Sequence, residues 1–337
     1  MFDEKMDAVY LIPTEEGGVY EYRKTKKPKA EGGQVLVRVH AAGTNRGEIL
    51  MVKAYTSKNP RFKPVPSGLE FAGEIVAVGE DATGWLVGER VMGRGMGSYA
   101  DYALASSMSL MRIPDSLSYV EAAAIPNVFI TAHDALVSNA QVSKGDRVLV
   151  TAAASGIGTA TIQLAKYFGA KKVIASTRDA DKIKTLEAVG ADVVVNTSQP
   201  GYVDVVKEET GGAGVDIVID CVGGPMFSDN LEMLAIKGRI VSVGRNAGEV
   251  GSIDLDALAN KRAQVIGVTF RTRTPQEAWR CFEVFVEDCM DGFADGSLRP
   301  VVDKTFPFDA LHDAHAYMMG NSQVGKVVLA RVGAGHD

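Results

Sequence analysis

The chain has 337 residues, 46% of them hydrophobic and 23% charged, with a formal net charge of −6 and a mean hydropathy of +0.02. This length exceeds one ordinary hydrophobic core, so we expect two domains of globular composition. The acidic balance argues against nucleic-acid binding, and no run of about 18 apolar residues is present to cross a membrane.

The opening ten residues, MFDEKMDAVY, carry acidic side chains and no apolar segment, so we predict no signal peptide and a cytoplasmic location. The three cysteines are Cys221, Cys281 and Cys289. The last two are separated by about 12 Å along a predicted helix, which is too far for a disulfide. No CxxC pair occurs, which excludes a zinc ribbon.

Residues 1–126 are predicted to form a β-rich domain. Glycine and proline punctuate this part of the chain and separate short runs that are typical of strands. These runs are 35–40, 71–78, 90–92 and 99–104.

Between residues 127 and 269, helical stretches alternate with short runs of β-branched residues. This alternation predicts an α/β domain with a doubly wound parallel sheet, the Rossmann arrangement. The six predicted strands are 148–151, 173–176, 193–196, 216–220, 240–243 and 265–270.

Residues 270–337 begin with a helix predicted at 275–290 and end in two further β-like runs, 304–308 and 326–331. The composition of these two runs matches that of the first 126 residues. We therefore expect this C-terminal part to return to the first domain.

The strongest site signal is the segment 148–169, in which a buried strand leads through small residues into an amphipathic helix. Small residues let the backbone approach a pyrophosphate, and the free N–H groups of a helix N-terminus bind it. The glycine pattern of dinucleotide-binding loops is degenerate here, because Ala153 and Ser155 replace two of its three glycines. We assign cofactor binding to Ala153, Ser155, Gly156, Ile157 and Gly158; the alternative is a plain tight turn.

The end of the next strand predicts which dinucleotide is bound. Enzymes that use NAD place a carboxylate about 20 residues after the loop, where it binds the ribose 2′-hydroxyl. Here that position is Thr177, so no carboxylate repels a 2′-phosphate. We predict NADPH, although Asp179 and Asp181 lie nearby and a solvated charged corner is the alternative. The groups expected to hold the 2′-phosphate are Ser176, Thr177, Arg178 and Lys182.

The whole chain resembles the medium-chain dehydrogenase/reductase superfamily, and within it the quinone oxidoreductase (zeta-crystallin-like) branch. The motifs that carry the resemblance are 42–46 (AGTNR), 68–73 (GLEFAG), 87–91 (VGERV), 122–126 (AAAIP), 237–239 (KGR) and 325–328 (GKVV), together with the loop at 148–169. The resemblance implies a GroES-like catalytic domain, a Rossmann domain, a cleft between them and a homodimer.

Two motifs depart from the zinc-dependent members of that superfamily. Where those enzymes carry a cysteine ligand, this chain has Asn45 within Thr44-Asn45-Arg46, and where they carry Gly-His-Glu it has Leu69. Leucine cannot bind zinc and asparagine is a poor substitute for a thiolate, so we expect no metal. Alcohol oxidation would then lack its Lewis acid, whereas quinones and enones are already activated by a conjugated carbonyl.

The resemblance also implies roles for individual residues. Asn45 is expected near the nicotinamide, donating from its amide to the substrate carbonyl, with a plain turn residue as the alternative. Tyr55 is expected in the substrate pocket as a proton donor or a packing residue. Thr131 is expected to touch the cofactor from a helix start, or else to cap that helix.

The ends of the last two predicted strands complete the expected cofactor site. Strand carboxyl ends line the cofactor crevice in doubly wound sheets. We therefore expect the backbone of both strand ends, Val243 and Gly244 in one and Phe270 and Arg271 in the other, beside the nicotinamide ribose. The side chain of Arg271 is expected near the cofactor or the substrate, with a solvated arginine as the alternative.

These features predict an NADPH-dependent, zinc-independent reductase that transfers hydride to a quinone or an α,β-unsaturated carbonyl. Two alternatives remain open. One is an enoyl-thioester (acryl- or enoyl-CoA) reductase on the same scaffold. The other, of a different class, is a cofactor-binding protein with little turnover.

Overall fold

The computed structural model describes residues 4–331 and 333, and the chain divides into two compact units. Unit 1 comprises Met1–Asn127, Met290–Gly296 and Val302–Asp337, and unit 2 comprises Val128–Cys289 and Ser297–Val301. Each unit has its own sheets and its own hydrophobic core.

Unit 1 is built mainly of antiparallel strands. Its strands are β1 (Lys5–Pro13), β2 (Gly18–Lys26), β3 (Gln34–Gly43), β4 (Val65–Pro66), β5 (Glu70–Val78), β6 (Arg90–Arg94), β7 (Tyr102–Ser106), β8 (Leu110–Arg112), β15 (Val302–Phe306) and β16 (Lys326–Ala330). Its helices are α1 (Arg46–Ala54), α2 (Tyr119–Ala123) and α10 (Leu311–Met319).

Strand β3 is central to the larger sheet of unit 1, which runs β15-β16-β3-β5-β6-β8, with β7 also paired to β3. Because β3 has neighbours along both edges, Val35, Val37 and Val39 are completely buried in the core. A second sheet, β2-β1-β4, belongs to the same unit. The end of β3, the start of β5 and the start of β16 are therefore held together by the sheet.

Unit 2 contains a single six-stranded parallel sheet with helices between its strands. The strands are β9 (Arg147–Val150), β10 (Lys172–Thr177), β11 (Val193–Asn196), β12 (Val215–Asp220), β13 (Leu234–Ser242) and β14 (Gln264–Gly267). The helices are α4 (Gly156–Tyr167), α5 (Ile183–Val189), α6 (Tyr202–Glu209), α7 (Phe227–Met233) and α8 (Leu255–Lys261). Two more, α3 (Pro126–His133) and α9 (Pro275–Asp295), begin or end in unit 1, and a π-helical turn, Asp134–Asn139, follows α3.

The strand order β11-β10-β9-β12-β13-β14 is that of a Rossmann fold, with β9 and β12 at the point where the order reverses. The central strands are apolar along their whole length because helices cover both faces of such a sheet. Val148, Leu149 and Val150 of β9, for example, have no exposed surface. The predicted α/β class and all six predicted strands are confirmed.

Several predicted boundaries differ from the structure, and two of them concern the end of unit 2. Strand β14 ends at Gly267 rather than at residue 270. The chain returns to unit 1 at Met290 rather than at 270, because α9 packs on unit 2. There the buried Phe285 ring lies 5.7 Å from that of His133, whose Nε2 is 2.9 Å from a carboxylate oxygen of Asp288. Strand β16 pairs with β3, so the end of the described chain joins the larger sheet of unit 1.

Among residues 4–331 and 333, no helix combines the length and the apolar character needed to cross a membrane. Cys221, Cys281 and Cys289 form no disulfide, and burial raises the pKa of the Cys281 thiol to about 11.

Candidate cofactor site and buried polar cluster

The phosphate loop lies between β9 and α4 in unit 2. Ser155 caps the helix, because its Oγ accepts a hydrogen bond of 3.0 Å from the backbone N–H of Gly158. The helix that follows has 12 residues, so its dipole and the free N–H groups of its first turn favour an anion at this end. The segment therefore has the architecture expected of a pyrophosphate site.

Gly158 has a steric role in this loop. A Cβ atom at this position would lie 2.4 Å from the carbonyl oxygen and 2.6 Å from the Cα of Ala153. The first turn of α4 thus packs directly on the loop backbone, which is the role of the third glycine in dinucleotide-binding loops. Ala153 and Ser155 stand at the positions of the first two glycines.

The end of β10 lies beside the loop. The backbone N–H of Ala153 donates to the carbonyl of Ser176 at 3.0 Å. The Thr177 hydroxyl accepts from the backbone N–H of Asp179 at 3.2 Å, and the side chain of Asp179 in turn accepts from the N–H of Asp181. Arg178 is exposed at this corner. The structure thus gathers Ala153, Ser176, Thr177 and Arg178 at one place.

Lys182 ends the short 3₁₀ turn Ala180–Lys182 and is only 9% exposed. Its backbone N–H donates to the carbonyl of Asp179. It lies four residues after Arg178 on the same corner.

Val243 and Gly244 follow β13 directly. Their backbone N–H groups both donate to the carbonyl of Asp220, the last residue of β12, at 2.8 and 3.1 Å. The two residues therefore lie at the carboxyl edge of the parallel sheet, where dinucleotides bind in such folds.

Phe270 and Arg271 lie in the loop after β14 and not in the strand, which corrects the predicted strand end. The loop is anchored by Arg273, a residue that the sequence analysis did not select. Its guanidinium lies 2.7 Å from the buried carboxylate of Asp134 and 4.7 Å from the centre of the Phe270 ring. The conformation of this loop thus depends on an ion pair between two distant parts of unit 2.

Thr131 was expected at a helix start. The structure places it inside α3, which begins at Pro126, so a capping role does not apply. Its side chain is half-buried.

Unit 1 contains a buried cluster of polar side chains around Lys326. The ammonium donates three hydrogen bonds, to the carbonyl oxygen of Thr44 (2.6 Å), to Oδ1 of Asn45 (2.9 Å) and to Oε1 of Glu70 (2.7 Å). Lys326 is 4% exposed and Glu70 is completely buried. All three donors of the ammonium are therefore satisfied by oxygen atoms of the protein.

The amide of Asn45 is fully engaged within this cluster. Its Nδ2 donates to Glu48 at 3.2 Å and to Glu70 at 3.0 Å. Its Oδ1 accepts from Lys326 and, at 2.8 Å, from Nδ2 of Asn127. Two carboxylates face one side of the amide and two donors face the other, which fixes its orientation. To donate to a substrate carbonyl, as expected, Asn45 would first have to release one of these carboxylates.

Burial controls the protonation of Glu48. Desolvation raises the pKa of this carboxyl from about 4.5 to about 7, although hydrogen bonds from Tyr99 (3.0 Å) and Asn45 favour its ionised form. The charged groups that also act on it are Lys326, which lowers the pKa, and Glu70, which raises it. Tyr99 keeps its proton, because burial and the charge of Glu48 raise its own pKa.

Tyr55 is buried at the end of α1 and does not join this cluster. Its hydroxyl donates to the carbonyl of Lys63 at 2.7 Å, and its ring stacks on Phe62 with 4.3 Å between ring centres. In this conformation the side chain holds the loop 56–63. Its predicted role as a proton donor stays a prediction.

The cluster does not fit a zinc ion. Leu69 offers no ligand atom, and the cation already present is the ammonium of Lys326. In the part of the chain that the structure describes, no group of three or more His, Cys, Asp or Glu side chains is arranged to hold a metal. Sequence reasoning missed Lys326, Glu70, Glu48 and Tyr99 as site residues. Their only signal was that Glu70 and Lys326 stand inside motifs of the family resemblance.

Two family models match the chain. One, described as the alcohol dehydrogenase GroES-like domain, matches residues 31–115, and one described as zinc-binding dehydrogenase matches residues 156–287. The first range lies entirely within unit 1 and the second entirely within unit 2.

Individual proteins are similar over most of the chain. Human (Homo sapiens) quinone oxidoreductase is 33% identical over 306 residues, covering 90% of this chain and 90% of its own. A mycobacterial protein solved in complex with NADPH is 28% identical, with a TM-score of 0.84 and coverage of 97% and 100%. An NAD-dependent alcohol dehydrogenase is 30% identical, with a TM-score of 0.85 and coverage of 96% and 99%. The similar structures therefore include users of both dinucleotides.

The raised pKa of Glu48 predicts a pH-dependent stability. Because the pKa is near 4.5 in the unfolded chain and near 7 in the folded protein, ionising Glu48 opposes folding. The penalty is absent below about pH 4.5, grows as the pH rises, and is complete above about pH 7, at about 3 kcal/mol. Glu48→Gln should therefore gain stability relative to the wild type between pH 5 and pH 8, as measured by urea unfolding at each pH.

The matched control is Glu21→Gln, at an exposed carboxyl on β2. This variant should follow the wild-type pH profile. A constant difference between Glu48→Gln and the wild type over this pH range would contradict the assignment.

Proposed function

The chain belongs to the medium-chain dehydrogenase/reductase superfamily, in its quinone oxidoreductase branch, and from that membership we propose an NADPH-dependent, zinc-independent reductase of quinones or α,β-unsaturated carbonyls. As a member of this superfamily it is an oxidoreductase that needs a nicotinamide cofactor. The choice of NADPH, the substrate class and the independence of zinc are the parts that we propose.

The choice of NADPH rests on the corner formed by the phosphate loop and the end of β10. This corner presents the hydroxyl of Thr177 and the guanidinium of Arg178 where NAD enzymes present a carboxylate. Lys182 lies on the same corner. A 2′-phosphate would meet donors and positive charge here, and Asp179 is occupied in capping the turn that follows.

The substrate class is inferred from the donor chemistry in unit 1. NADPH, when bound, supplies a hydride, and the reduction of a quinone or an enone needs one proton in addition. The positions at which zinc-dependent relatives hold their metal carry Asn45 and Leu69, which cannot supply a Lewis acid. An acceptor whose carbonyl is conjugated requires only hydrogen bonding. Asn45 stays the predicted donor once its amide releases Glu48 or Glu70, and Tyr55 stays a predicted proton source.

A reduction assay tests this proposal. Purified protein is mixed with NADPH and one acceptor at a time: a quinone, an enone or an enoyl-CoA. A separate mixture contains an alcohol and NADP⁺. Absorbance at 340 nm should fall with the quinone and the enone, because NADPH is oxidised, and should not change with the alcohol. A chelator should not change the rate. Turnover restricted to enoyl-CoA would favour the thioester reductase instead, and cofactor binding without any turnover would favour a binding protein. Activity that is lost with chelator and restored by zinc would contradict zinc independence.

Cofactor choice is tested at Arg178. Because hydrogen bonds to charged groups contribute about 1.5–3 kcal/mol, Arg178→Ala should weaken NADPH binding about ten- to a hundredfold. NADH binding should hardly change, since NADH has no 2′-phosphate. Dissociation constants from cofactor fluorescence measure both effects. The control is Arg280→Ala, an exposed arginine on α9. A wild-type preference for NADH, or equal weakening of both cofactors, would refute the assignment.

We further propose that the protein is a cytoplasmic homodimer joined through β14. This strand pairs with β13 on one side, and its other edge carries no partner strand within the described chain. Val265 on β14 is 45% exposed. An unpaired edge strand with apolar side chains can pair with the same strand of a second copy of the protein, and the two copies are then related by two-fold symmetry.

The proposed dimer is tested by placing a charge on the edge. Val265→Lys should shift the protein from dimer to monomer in light scattering after size-exclusion chromatography, because lysine on an edge strand opposes pairing. Val205→Lys is the matched control, since Val205 is 43% exposed on α6 of the same unit. A wild type that is monomeric at micromolar concentration, or a Val265→Lys variant that remains dimeric, would exclude this interface.

A further inference from the structure

The oxygen atoms around Lys326 form a cation cage. The carbonyl of Thr44, the amide oxygen of Asn45 and the carboxylate of Glu70 lie 2.6, 2.9 and 2.7 Å from its nitrogen. These are hard oxygen donors of the kind that bind ammonium and hard metal ions. Two separate parts of the chain supply them, the consecutive residues Thr44 and Asn45 and the distant Glu70.

The packing around the cage leaves it little freedom. A Cβ atom on Gly43 would lie 2.5 Å from Oε1 of Glu70, so this glycine makes room for the carboxylate. The other oxygen of Glu70 accepts a hydrogen bond of 2.7 Å from the backbone N–H of Asn127. Thr44 is bound in turn to β16, because its N–H and its hydroxyl both donate to the carbonyl of Val327. The oxygen atoms are therefore held in place by the backbone as well as by the ammonium.

We propose that Lys326 is a positioning residue whose ammonium serves as the built-in cation of this cage and holds the amide of Asn45 in its fixed orientation. The chemical group that fits the cage is a primary alkylammonium, and in this protein the side chain of Lys326 supplies it. Without the ammonium of Lys326, no positive charge would lie within hydrogen-bonding distance of Glu70, while Glu70 and Glu48 would still both face the amide of Asn45. This inference rests on the proposed function only for its activity readout.

Chemical rescue tests the proposal. Lys326→Ala removes the ammonium and three carbons, and propylammonium has the same atoms. The melting temperature of the variant should fall by roughly 10 °C, because a buried carboxylate loses its partner. It should rise again with propylammonium concentration by mass action. The wild type should not respond, and neither should the variant with 1-propanol or with sodium chloride at equal ionic strength.

A second readout separates positioning from simple stabilisation. With NADPH and the best acceptor, kcat of Lys326→Ala should fall at least about tenfold. KM for NADPH should change little, and propylammonium should restore kcat. The matched control is Lys172→Ala, which breaks an ion pair of equal length, 2.7 Å to Glu209, between half-exposed side chains. Its melting temperature and kcat should stay near wild type and should not respond to propylammonium.

A comparison of two further variants tests the proposal if Lys326→Ala does not fold. Lys326→Met leaves Glu70 buried without a cation, whereas the double variant Lys326→Met/Glu70→Gln removes both charges. The double variant should melt at a higher temperature than Lys326→Met alone. The proposal fails if Lys326→Ala keeps wild-type stability and kcat, if propylammonium restores neither, or if the double variant is no more stable than Lys326→Met. An inactive wild type would instead refute the proposed function, since the melting temperatures judge the cage separately.

Discussion

The buried ion pair between Lys326 and Glu70 is the interaction on which the arrangement of unit 1 depends. Its members are 256 residues apart in sequence, and the pair ties the start of β16 to the start of β5. A buried pair of charges seldom adds much stability, but an unpaired charge in the same place is costly. The pair therefore acts mainly as a geometric constraint, because other placements of these strands would leave a charge buried without a partner.

The polar cluster that surrounds this pair stands at the two motifs in which the chain departs from the zinc-dependent members of its superfamily. The same loop ends that carry a thiolate and an imidazole in zinc-dependent relatives here carry an amide and a leucine. The two sets of side chains differ in the charge that balances them. A thiolate binds a divalent metal ion, whereas the amide of Asn45 between two carboxylates is balanced by a single positive charge. A lysine ammonium meets that requirement with three hydrogen bonds and needs no exchangeable ion.

Unit 2 follows a more general rule. In a doubly wound sheet the strand order reverses between β9 and β12, and the loops at their carboxyl ends diverge and leave room for a ligand. The phosphate loop combines a capping serine, Ser155, with one glycine in direct contact with the backbone, Gly158, while Ala152 adopts the left-handed region at φ 47°. The loop has lost two of three glycines, yet it retains the capped helix start and the close contact of the third glycine.

The class of the fold and the strands of the parallel sheet could be predicted from the sequence, whereas β1 and β2 of unit 1 were not. The strands of the parallel sheet were predictable because apolar runs of about five residues between helices are a local pattern, and the corner at Thr177 followed from counting along the chain. Contacts between distant residues were not predictable. No periodic pattern in the sequence marks such contacts. Examples are the ion pairs of Arg273 with Asp134 and of Lys326 with Glu70, and the hydrogen bond from the Tyr55 hydroxyl to the carbonyl of Lys63. Only the tertiary structure decided that both amide hydrogens of Asn45 are engaged and that α9 packs with unit 2, because burial and hydrogen-bond partners are properties of the packed chain and not of any segment.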